Sequence, residues 1–374
     1  MKTTTPAITR LGILGAGTMG SGIAVGAALA GIETLLVDIE AGRLEAALAE
    51  AERFYARGVE KGRLAEADAQ AARARLKTAA SPEVFADREL IVEAVFEDFD
   101  LKAKVFAELS RIAARLAERS AILATNTSCL RVGDLAAHVA APGRFLGLHY
   151  FSPAQVNPLV EVVRGAETAA ATVAAALAFL EATGKTPLLC KDSYGFAVNR
   201  FFCPYTNEAA RLVDEGLGTT AQVDRVAQAA LGVAAGPFLV QNLIKPRINL
   251  HAIRNLAPLG PFYEPADFLV RTGDAGESFE IGEDPGPRLE ADARIAERLQ
   301  GATFLPVLQA LDEEIASPAD IDRGARLALK FGEPPCALMD RLGREAVESR
   351  VAPLCRRYGL ALPRSLERVG RLLS

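Results

Sequence analysis

A glycine-rich turn near the start of the chain constrains its fold more than any other feature. An apolar run, Leu11 to Leu14, leads into Gly15-Ala16-Gly17-Thr18-Met19-Gly20, and an Ala/Gly-rich stretch, residues 21–30, follows. A second apolar run then ends in Asp38. This order predicts a strand, a tight turn, a helix and a second strand with an acid at its tip. In such a unit the first glycine allows the turn, the second lets backbone N–H groups approach a pyrophosphate, and the third lets helix and strand pack closely. The pattern therefore predicts a dinucleotide site.

The acid at the tip of the second strand indicates which dinucleotide binds. A carboxylate at that position accepts hydrogen bonds from the ribose hydroxyls of the adenosine and repels a 2′-phosphate. Ile39 and Glu40 follow Asp38, so no arginine stands directly after it to offset the charge. We therefore expect NAD rather than NADP. The residues predicted here to bind it are Gly15, Gly17, Thr18, Met19, Gly20 and Asp38.

Composition limits the number of domains and the kinds of partner. A chain of 374 residues, 50% of them hydrophobic, is too long for one core and indicates two or three domains. The 42 basic and 47 acidic residues give a net charge of −5, which does not favour a nucleic-acid partner. Five cysteines without a CxxC spacing predict buried thiols rather than disulfides, and three histidines without an HxxxH spacing give no support to a metal site. The first six residues lack the apolar stretch of a signal peptide, and no apolar run is long enough to span a membrane, so we expect a soluble, cytoplasmic protein.

The first part of the chain alternates apolar runs with helical patterns. This alternation is typical of an α/β fold of the Rossmann type, a doubly wound parallel sheet. Residues 101–118 carry an apolar stripe at helical spacing, and residues 43–77 are rich in helix-forming residues and predict a helical excursion from the sheet. Further strands are predicted at residues 89–95, 121–125, 145–149, 159–163 and 186–190.

The part after Cys190 predicts helices alone and contains an internal repeat. Residues 98 positions apart match without gaps, as Asp214-Glu215 matches Asp312-Glu313 and Asp224-Arg225 matches Asp322-Arg323. We therefore predict a nucleotide-binding domain at 1–190, a first all-helical domain with its connector at 191–290, and a second helical copy in tandem at 291–374. The segment 258–287, rich in Gly, Pro and acids but with several aromatic residues, is expected to be an ordered connector that partly packs.

One histidine and one glutamate form the candidate catalytic pair. His149 lies at the carboxyl end of a predicted strand, the edge at which open α/β sheets bind ligands. Glu161 lies inside the apolar run Leu159 to Val163, where an unpaired carboxylate is costly and needs a partner. A carboxylate that holds one imidazole nitrogen raises the basicity of the other, which suits a general base. Taken alone, a histidine beside Tyr150 and Phe151 is more often a hydrogen-bonded core residue; the buried glutamate and the cofactor site favour the catalytic interpretation.

At this point the sequence resembles the L-3-hydroxyacyl-CoA dehydrogenase family, closely over residues 8–240 and in outline beyond. The family's Gly-Leu-His-Phe-Phe-Asn-Pro run and its Leu-Val-Glu-Val-Val run are similar to residues 147–153 and 159–163. Its Asn-Thr-Ser motif matches Asn126-Thr127-Ser128, and its Asp-Ser-x-Gly-Phe-x-Val-Asn-Arg motif matches residues 192–200. The tandem helical domains resemble the dehydrogenase portion of the multifunctional fatty-acid oxidation enzymes.

The resemblance implies NAD-dependent oxidation of the 3-hydroxyl of an L-3-hydroxyacyl-CoA to the 3-ketoacyl-CoA. It implies that His149 takes the hydroxyl proton, that Glu161 steadies the imidazolium, and that Ser128 and Asn199 hydrogen-bond the reacting oxygens. It further implies that Glu97, Lys102 and Asn126 lie at the cofactor. Two simpler interpretations stay open: Lys102 as a solvated lysine in the first turn of a helix, and Ser128 as a helix cap.

Departures from the family pattern leave the acyl pocket and the substrate open. Ser152 replaces the usual Asn, Tyr194 replaces the usual Pro, and residues 239–246 replace an acidic, glycine-containing segment, with Pro246 expected to end or kink a helix. Two alternatives therefore remain: a dehydrogenase of a small hydroxy acid of the sugar-acid or carnitine type, and an NAD-binding structural protein with a disabled site.

The second helical copy is predicted to serve packing. Asn199 corresponds to Glu297 at the repeat distance, so the polar position implied in catalysis is lost. In the family's shorter members the single helical domain pairs with its copy in a second subunit. The resemblance therefore implies that the two copies pair inside one chain, so that an oligomer is possible but not required.

Overall fold

Eight strands in the first half of the chain form one sheet. The computed structural model describes residues 8–114 and 121–374. The strands are β1 (Arg10–Leu14), β2 (Glu33–Val37), β3 (Leu76–Ala79), β4 (Leu90–Glu93), β5 (Ile122–Thr125), β6 (Phe145–Tyr150), β7 (Leu159–Arg164) and β8 (Thr186–Lys191). Their order in the sheet is β3-β2-β1-β4-β5-β6-β7-β8, and its first six strands follow the Rossmann order. Every residue of β4, β5 and β6 is buried, as expected for parallel strands covered on both faces.

The last two strands, β7 and β8, run against the predicted direction. The sequence pattern predicts a parallel sheet, but β7 is antiparallel to β6, whereas all other neighbours are parallel. The connection between β6 and β7 consists of residues 151–158, which is shorter than the dozen or so residues that a parallel crossover needs. The length of this loop therefore determines the direction of β7.

In the described part of the first unit, six α-helices accompany the sheet. They are α1 (Thr18–Leu29), α2 (Ala41–Glu60), α3 (Glu66–Arg75), α4 (Phe99–Ala113), α5 (Val132–Ala136) and α6 (Ala170–Ala182). The predicted helical excursion at 43–77 is correct for α2 and α3 but wrong at its end, where β3 begins at Leu76 and pairs with β2. The four residues of β3 are too few to show a strand period beside a long helical pattern. Residues 115–118 of the predicted helix at 101–118, and the first six residues of the chain, lie outside the described residues.

The remaining chain forms a second unit. The described residues form two compact units, one that ends at Asp192 and one that consists of Ser193–Ser374. The helices of the second unit are α7 (Asn199–Asp214), α8 (Thr220–Leu231), α9 (Pro237–Ile244), α10 (Pro246–Leu256), α11 (Asp267–Ala275), α12 (Leu289–Asp312), α13 (Pro318–Leu329), α14 (Pro335–Leu342) and α15 (Arg344–Tyr358). The division of this unit into separate domains at residue 290 stays a prediction.

The helices of the second unit repeat with the spacing that the sequence shows. Helix α13 begins and ends 98 residues after α8, from 220 to 318 and from 231 to 329, and α14 follows α9 at the same distance. Their caps repeat as well, because the Asp224 carboxylate accepts the N–H groups that begin α9 and the Asp322 carboxylate accepts those that begin α14. Thr219 and Ser317, the N-cap residues of α8 and α13, both accept a backbone N–H group through their hydroxyls. The repeat is therefore structural as well as sequential.

Two ion pairs connect the two copies in opposite directions. Arg200 of the first copy pairs with Glu313 of the second, and Arg298 of the second copy lies 2.9 Å from Glu215 of the first. At the repeat distance Arg200 corresponds to Arg298, and Glu215 corresponds to Glu313. The same two residue types therefore meet twice, once in each direction.

The segment between the copies is ordered and partly packed, as predicted. It contains α11, and its buried aromatic and aliphatic residues include Phe262, Tyr263, Leu269 and Phe279. The effect expected of Pro246 is also confirmed, because α9 ends at Ile244 and α10 begins at Pro246. Lys245 between them has φ 72° and ψ 124°, a combination that disfavours residues other than glycine.

Candidate active site

Each glycine of the turn after β1 has a separate structural role. Gly15 has φ +108°, and a Cβ atom there would lie 2.5 Å from the Ala94 carbonyl oxygen. A Cβ at Gly20 would lie 1.8 Å from the Gly15 carbonyl oxygen, since α1 packs closely on the turn. At Gly17, by contrast, no heavy atom of the described residues lies within 4 Å of the position of a Cβ. The first and third glycines are therefore required by packing, and the second faces open space at the start of α1.

The first turn of α1 provides backbone donors without competing charges. Gly17 is the N-cap residue, and Thr18 and Met19 begin the helix. In the described part of the chain, no side chain caps this helix and its first turn contains no acid. The first N–H groups of a helix have no intrahelical partner, and the helix dipole favours an anion there. This end of α1 therefore suits the pyrophosphate of a dinucleotide.

Asp38 follows β2 and faces the same turn. Its Oδ2 accepts the Ala16 N–H at 2.8 Å, its Oδ1 accepts the Glu40 N–H at 3.0 Å, and the residue is 7% exposed. A carboxylate has about four lone-pair sites, so these two bonds fix its orientation and leave acceptor capacity for ribose hydroxyls. The turn, the helix end and Asp38 together fit NAD.

The candidate catalytic pair is brought together by the antiparallel strands β6 and β7. His149 and Glu161 are direct partners in the register, and His149 Nδ1 lies 2.7 Å from Glu161 Oε2. Both residues are buried, with Glu161 at 0% exposure. The hydrogen bond expected from the sequence is therefore present, and it engages Nδ1 of the imidazole. The turn of the chain after β6 is what makes an interval of 12 residues into a side-by-side pair.

The residues after β5 are fixed by hydrogen bonds to neighbouring strand ends. Asn126 Oδ1 accepts the Tyr150 N–H at 2.9 Å, which ties the end of β5 to the residue beside His149. The Ser128 N–H donates to Glu97 Oε1 at 2.9 Å. Ser128 is not a helix cap, because α5 begins at Val132 with Arg131 as its N-cap residue.

Lys102 is buried, so its interpretation as a solvated lysine is wrong. It is 1% exposed, and its Nζ lies 2.5 Å from Glu93 Oε1 and 3.2 Å from Glu97 Oε2. Glu93, the last residue of β4, is 0% exposed and did not emerge from the sequence as a site residue. The signal was present, because a carboxylate in the apolar run Leu90 to Glu93 needs a partner as much as Glu161 does.

Burial and mutual charge interactions shift the pKa values of Glu93, Glu97 and Lys102. Burial raises the pKa of Glu93 above its usual value. Burial also acts to raise the pKa of Glu97, but the charge of Lys102 and the hydrogen bonds from Thr127 and Ser128 hold it below its usual value. The pKa of Lys102 is raised, since the two carboxylates outweigh the effect of burial. Lys102 and Glu97 therefore stay charged at neutral pH.

Asn199 lies in the second unit, where it is the first residue of α7. Its counterpart at the repeat distance, Glu297, lies in α12 and is exposed. The change from Asn to an exposed Glu is consistent with a second copy that has no part in the chemistry.

Three further features of the chain concern metal binding, its cysteines and membrane spans. Among the described residues, no group of His, Cys, Asp and Glu side chains could hold a metal ion. The five cysteines are buried, as predicted. In the described parts of the chain, no helix combines the length and apolar character that a membrane span requires. The cytoplasmic location stays a prediction.

Comparison with known families agrees with the fold and the site. The family model described as 3-hydroxyacyl-CoA dehydrogenase, NAD binding domain, matches residues 10–193, and the model of the C-terminal domain of that family matches residues 195–280. The 3-hydroxybutyryl-CoA dehydrogenase of Mycobacterium tuberculosis is 34% identical over 278 residues, which are 72% of this chain and 95% of the relative.

Solved structures extend the comparison. The crystal structure of the (S)-3-hydroxybutyryl-CoA dehydrogenase of Ralstonia eutropha matches with a TM-score of 0.68 at 34% identity, over 72% of this chain and 95% of that one. The 3-hydroxybutyryl-CoA dehydrogenase of Escherichia coli matches with a TM-score of 0.86 at 22% identity, over 98% of this chain and 99% of that one, and shows the same fold. The protein is thus an NAD-dependent dehydrogenase with a Rossmann-type domain and a helical C-terminal part. It belongs to the 3-hydroxyacyl-CoA dehydrogenase family.

Proposed function

We propose that this chain oxidises the 3-hydroxyl of an L-3-hydroxyacyl-CoA to the ketone with NAD, and that its substrates include the short 3-hydroxybutyryl thioester named in its relatives. The observation that carries this proposal is the buried His149–Glu161 hydrogen bond of 2.7 Å at the carboxyl end of β6. The strands β1, β2, β4, β5 and β6 are parallel, so the glycine turn, Asp38 and His149 all follow or end strands at one edge of the sheet.

His149 acts as the general base in this proposal. Its Nε2 takes the proton of the 3-hydroxyl, while Glu161 stabilises the imidazolium through Nδ1. Bound NAD supplies the acceptor for the hydride that leaves C3. His149 then releases its proton to solvent, so that one hydroxyl proton and one hydride leave the alcohol and a ketone results.

The other predicted site residues orient the reactants. Ser128 and Asn199 are proposed to donate hydrogen bonds to the reacting oxygens, as the family resemblance implies. Glu97 and Asn126 are proposed to lie beside the cofactor. The positions of Glu97 and Asn126 support this proposal. Glu97 accepts the N–H of Ser128, which follows β5, and Asn126 accepts the N–H of Tyr150, the last residue of β6.

A substrate panel tests this function. Purified protein is offered NAD with 3-hydroxyacyl-CoA thioesters of increasing chain length and with free 3-hydroxy acids, and NADH formation is followed by absorbance. We expect turnover of the (S)-thioesters and none of the free acids. Turnover of a free hydroxy acid alone would favour the dehydrogenase of small acids, and the absence of any turnover with normal NADH binding would favour a disabled protein.

The two helical copies are further proposed to pair within one chain. Three contacts support this: the two reciprocal ion pairs of Arg200 and Arg298, and the bridge between Val233 and Phe331, which are counterparts at the repeat distance. A residue that meets its own counterpart is typical of a twofold arrangement. If the pairing is internal, the midpoint of thermal unfolding does not depend on protein concentration; a rising midpoint with concentration would contradict it.

A further inference from the structure

A group of three charged residues, two of them buried and the third partly buried, lies between β4 and the residues after β5. Glu93 ends β4, Glu97 lies in the connection that follows, and Lys102 lies in the first turn of α4. We refer to Glu93, Glu97 and Lys102 as the charge cluster. It contains two carboxylates and one ammonium group, and Glu93 and Lys102 are at most 1% exposed. Charges this deeply buried are costly unless they are paired, so their retention calls for an explanation.

The lysine of the charge cluster has its hydrogen-bonding capacity committed inside the protein. An ammonium group has three donors. The Nζ of Lys102 lies 2.5 Å from Glu93 Oε1, 3.2 Å from Glu97 Oε2 and 3.5 Å from the Val95 carbonyl oxygen. Glu93 is fixed in turn, because Thr125 Oγ1 and the Val95 N–H each donate to it at 2.8 Å.

The Oε1 atom of Glu97 accepts hydrogen bonds from Ser128 and from the residues on either side of it. Glu97 Oε1 accepts the Ser128 N–H at 2.9 Å, the Cys129 N–H at 3.3 Å and the Thr127 hydroxyl. Hydrogen bonds to an ionised acceptor are about twice as strong as neutral ones. One carboxylate therefore joins Lys102, through Oε2, to the backbone of Ser128, through Oε1.

We infer that Lys102 is a positioning residue for the reaction: anchored by Glu93, it fixes the Glu97 carboxylate, and Glu97 fixes the turn that presents the Ser128 hydroxyl to substrate. This inference rests on the proposed role of Ser128. It differs from direct contact of Lys102 with the cofactor. Loss of the ammonium group releases Glu97 Oε2 and leaves the carboxylates of Glu93 and Glu97 facing each other. The turn at Ser128 then loses its alignment, although every residue that touches substrate keeps its identity.

A double-mutant cycle between Lys102 and Ser128 tests the inference. The variants are Lys102→Met, Ser128→Ala and their combination, and kcat/KM is measured for the best acyl-CoA of the panel. We expect Lys102→Met to lower kcat/KM by about tenfold to a hundredfold, because small misplacements of a reacting group cost this much. In the Ser128→Ala background the same change should lower it by no more than about twofold, since the hydroxyl that Lys102 positions is gone.

Arg88→Met is the matched control. Arg88 is also buried, at 5% exposure, and pairs with Asp87 at 2.6 Å and Glu33 at 3.0 Å, but it precedes β4 rather than following it. Its loss should lower the unfolding midpoint and leave kcat/KM within about twofold of wild type. NADH affinity, measured by fluorescence titration, should change by less than about threefold in Lys102→Met.

Three results would overturn the inference. Losses from Lys102→Met and Ser128→Ala that multiply in the double variant would show that the two residues act independently. A fall in NADH affinity as large as the fall in kcat/KM would place Lys102 at the cofactor. Normal activity of Ser128→Ala would remove the proposed role of Ser128 as well, which distinguishes failure of the proposed function from failure of this inference alone. If Lys102→Met does not fold, Lys102→Gln, which removes the charge of the ammonium group but keeps a polar side chain, is entered in the same cycle with the same expectations.

Discussion

The second glycine of the turn offers a substitution that separates folding from cofactor binding. Gly17 has φ −73° and ψ −175°, which alanine adopts without strain, and no described heavy atom lies within 4 Å of the position of a Cβ. Gly17→Ala should therefore fold. Its methyl group would occupy the space in front of the N-terminus of α1, where we propose that the pyrophosphate binds, so dinucleotide binding should weaken.

The size of the effect follows from the hydrogen bonds at stake. A hydrogen bond to a charged group contributes about 1.5–3 kcal/mol, so the loss of one such bond between the helix N-terminus and a phosphate raises the Kd for NADH by about 10- to 150-fold. The free energy of unfolding should change by about 1 kcal/mol or less, because alanine caps a helix somewhat less well than glycine.

The assay is a fluorescence titration with NADH beside a thermal unfolding curve. Gly42→Ala is the matched control, since Gly42 is an exposed residue of α2 that also has no described atom within 4 Å of a Cβ, and it should bind NADH as wild type does. Gly20→Ala should behave differently from both, because its Cβ would lie 1.8 Å from the Gly15 carbonyl oxygen and the fold itself would suffer. Wild-type NADH affinity in a folded Gly17→Ala would refute the placement of the pyrophosphate.

Three further predictions follow from single residues. NAD should be preferred over NADP by at least about tenfold in kcat/KM, because Asp38 repels a 2′-phosphate; equal values would remove Asp38 from this role. Lys245→Gly should raise the unfolding midpoint by a few degrees, about 1 kcal/mol or more, because Lys245 has φ 72° where its counterpart at the repeat distance, Gly343, has φ 81°; an unchanged midpoint would show that no strain is stored there. Burial acts to raise the pKa of Glu215, but hydrogen bonds from Arg298 and Arg357 outweigh it and lower this pKa to about 2. The stabilising effect of the Glu215 carboxylate is thus complete above the ordinary pKa of 4.5 and is lost as the pH falls towards 2. Glu215→Gln should therefore lower the free energy of unfolding in urea by about 1–2 kcal/mol at pH 7 and by much less at pH 2. An equal loss at both pH values would contradict this assignment.

Local patterns predicted much of the first unit. The glycine turn and Asp38 belong to one continuous βαβ segment, so the positions of these residues follow from chain order alone. Glu161 was identified because a carboxylate in an apolar strand requires a partner, and His149 is that partner. The direction of β7 was not predicted, since the apolar pattern of a strand is the same for either direction. The length of the loop between β6 and β7 indicates this direction, because the loop is too short for a parallel crossover.

Contacts between distant elements account for what the sequence did not predict. Strand β3 has only four residues, and its pairing with β2 stabilises it beyond what its own sequence indicates. The burial of Lys102 results from the approach of α4 to the end of β4, which no local period reveals. Glu93 differs from Lys102 in this respect, because a carboxylate at the end of an apolar strand needs a partner and is therefore recognisable from the sequence, as Glu161 is.

The repeat shows how far geometry persists when chemistry changes. The helix pairs α8/α13 and α9/α14 lie 98 residues apart at both ends, α7 and α12 do so at their last residue, and α10 and α15 do so at their first. Buried side chains do not keep their character, because a hydrogen-bonded polar group in the first copy has apolar counterparts in the second. The first group is Thr206, Gln241 and Asn249, and the counterparts are Phe304, Met339 and Val347. Cap residues such as Asp224 and Asp322 are retained because backbone N–H groups require an acceptor in both copies.

The single-turnover rate of NADH formation tests the central claim, the general-base role of His149, most directly. The assay uses wild type, His149→Gln, Glu161→Gln and the double variant. Each enzyme is in excess over a short-chain (S)-3-hydroxyacyl-CoA, at a concentration that binds all of it, and is mixed with saturating NAD so that the chemical step is observed. We expect His149→Gln to be at least about 100-fold slower with NADH affinity nearly unchanged, Glu161→Gln to lose nearly as much, and the double variant to be no slower than His149→Gln. A His149→Gln enzyme that keeps more than about a tenth of the wild-type rate would contradict this role.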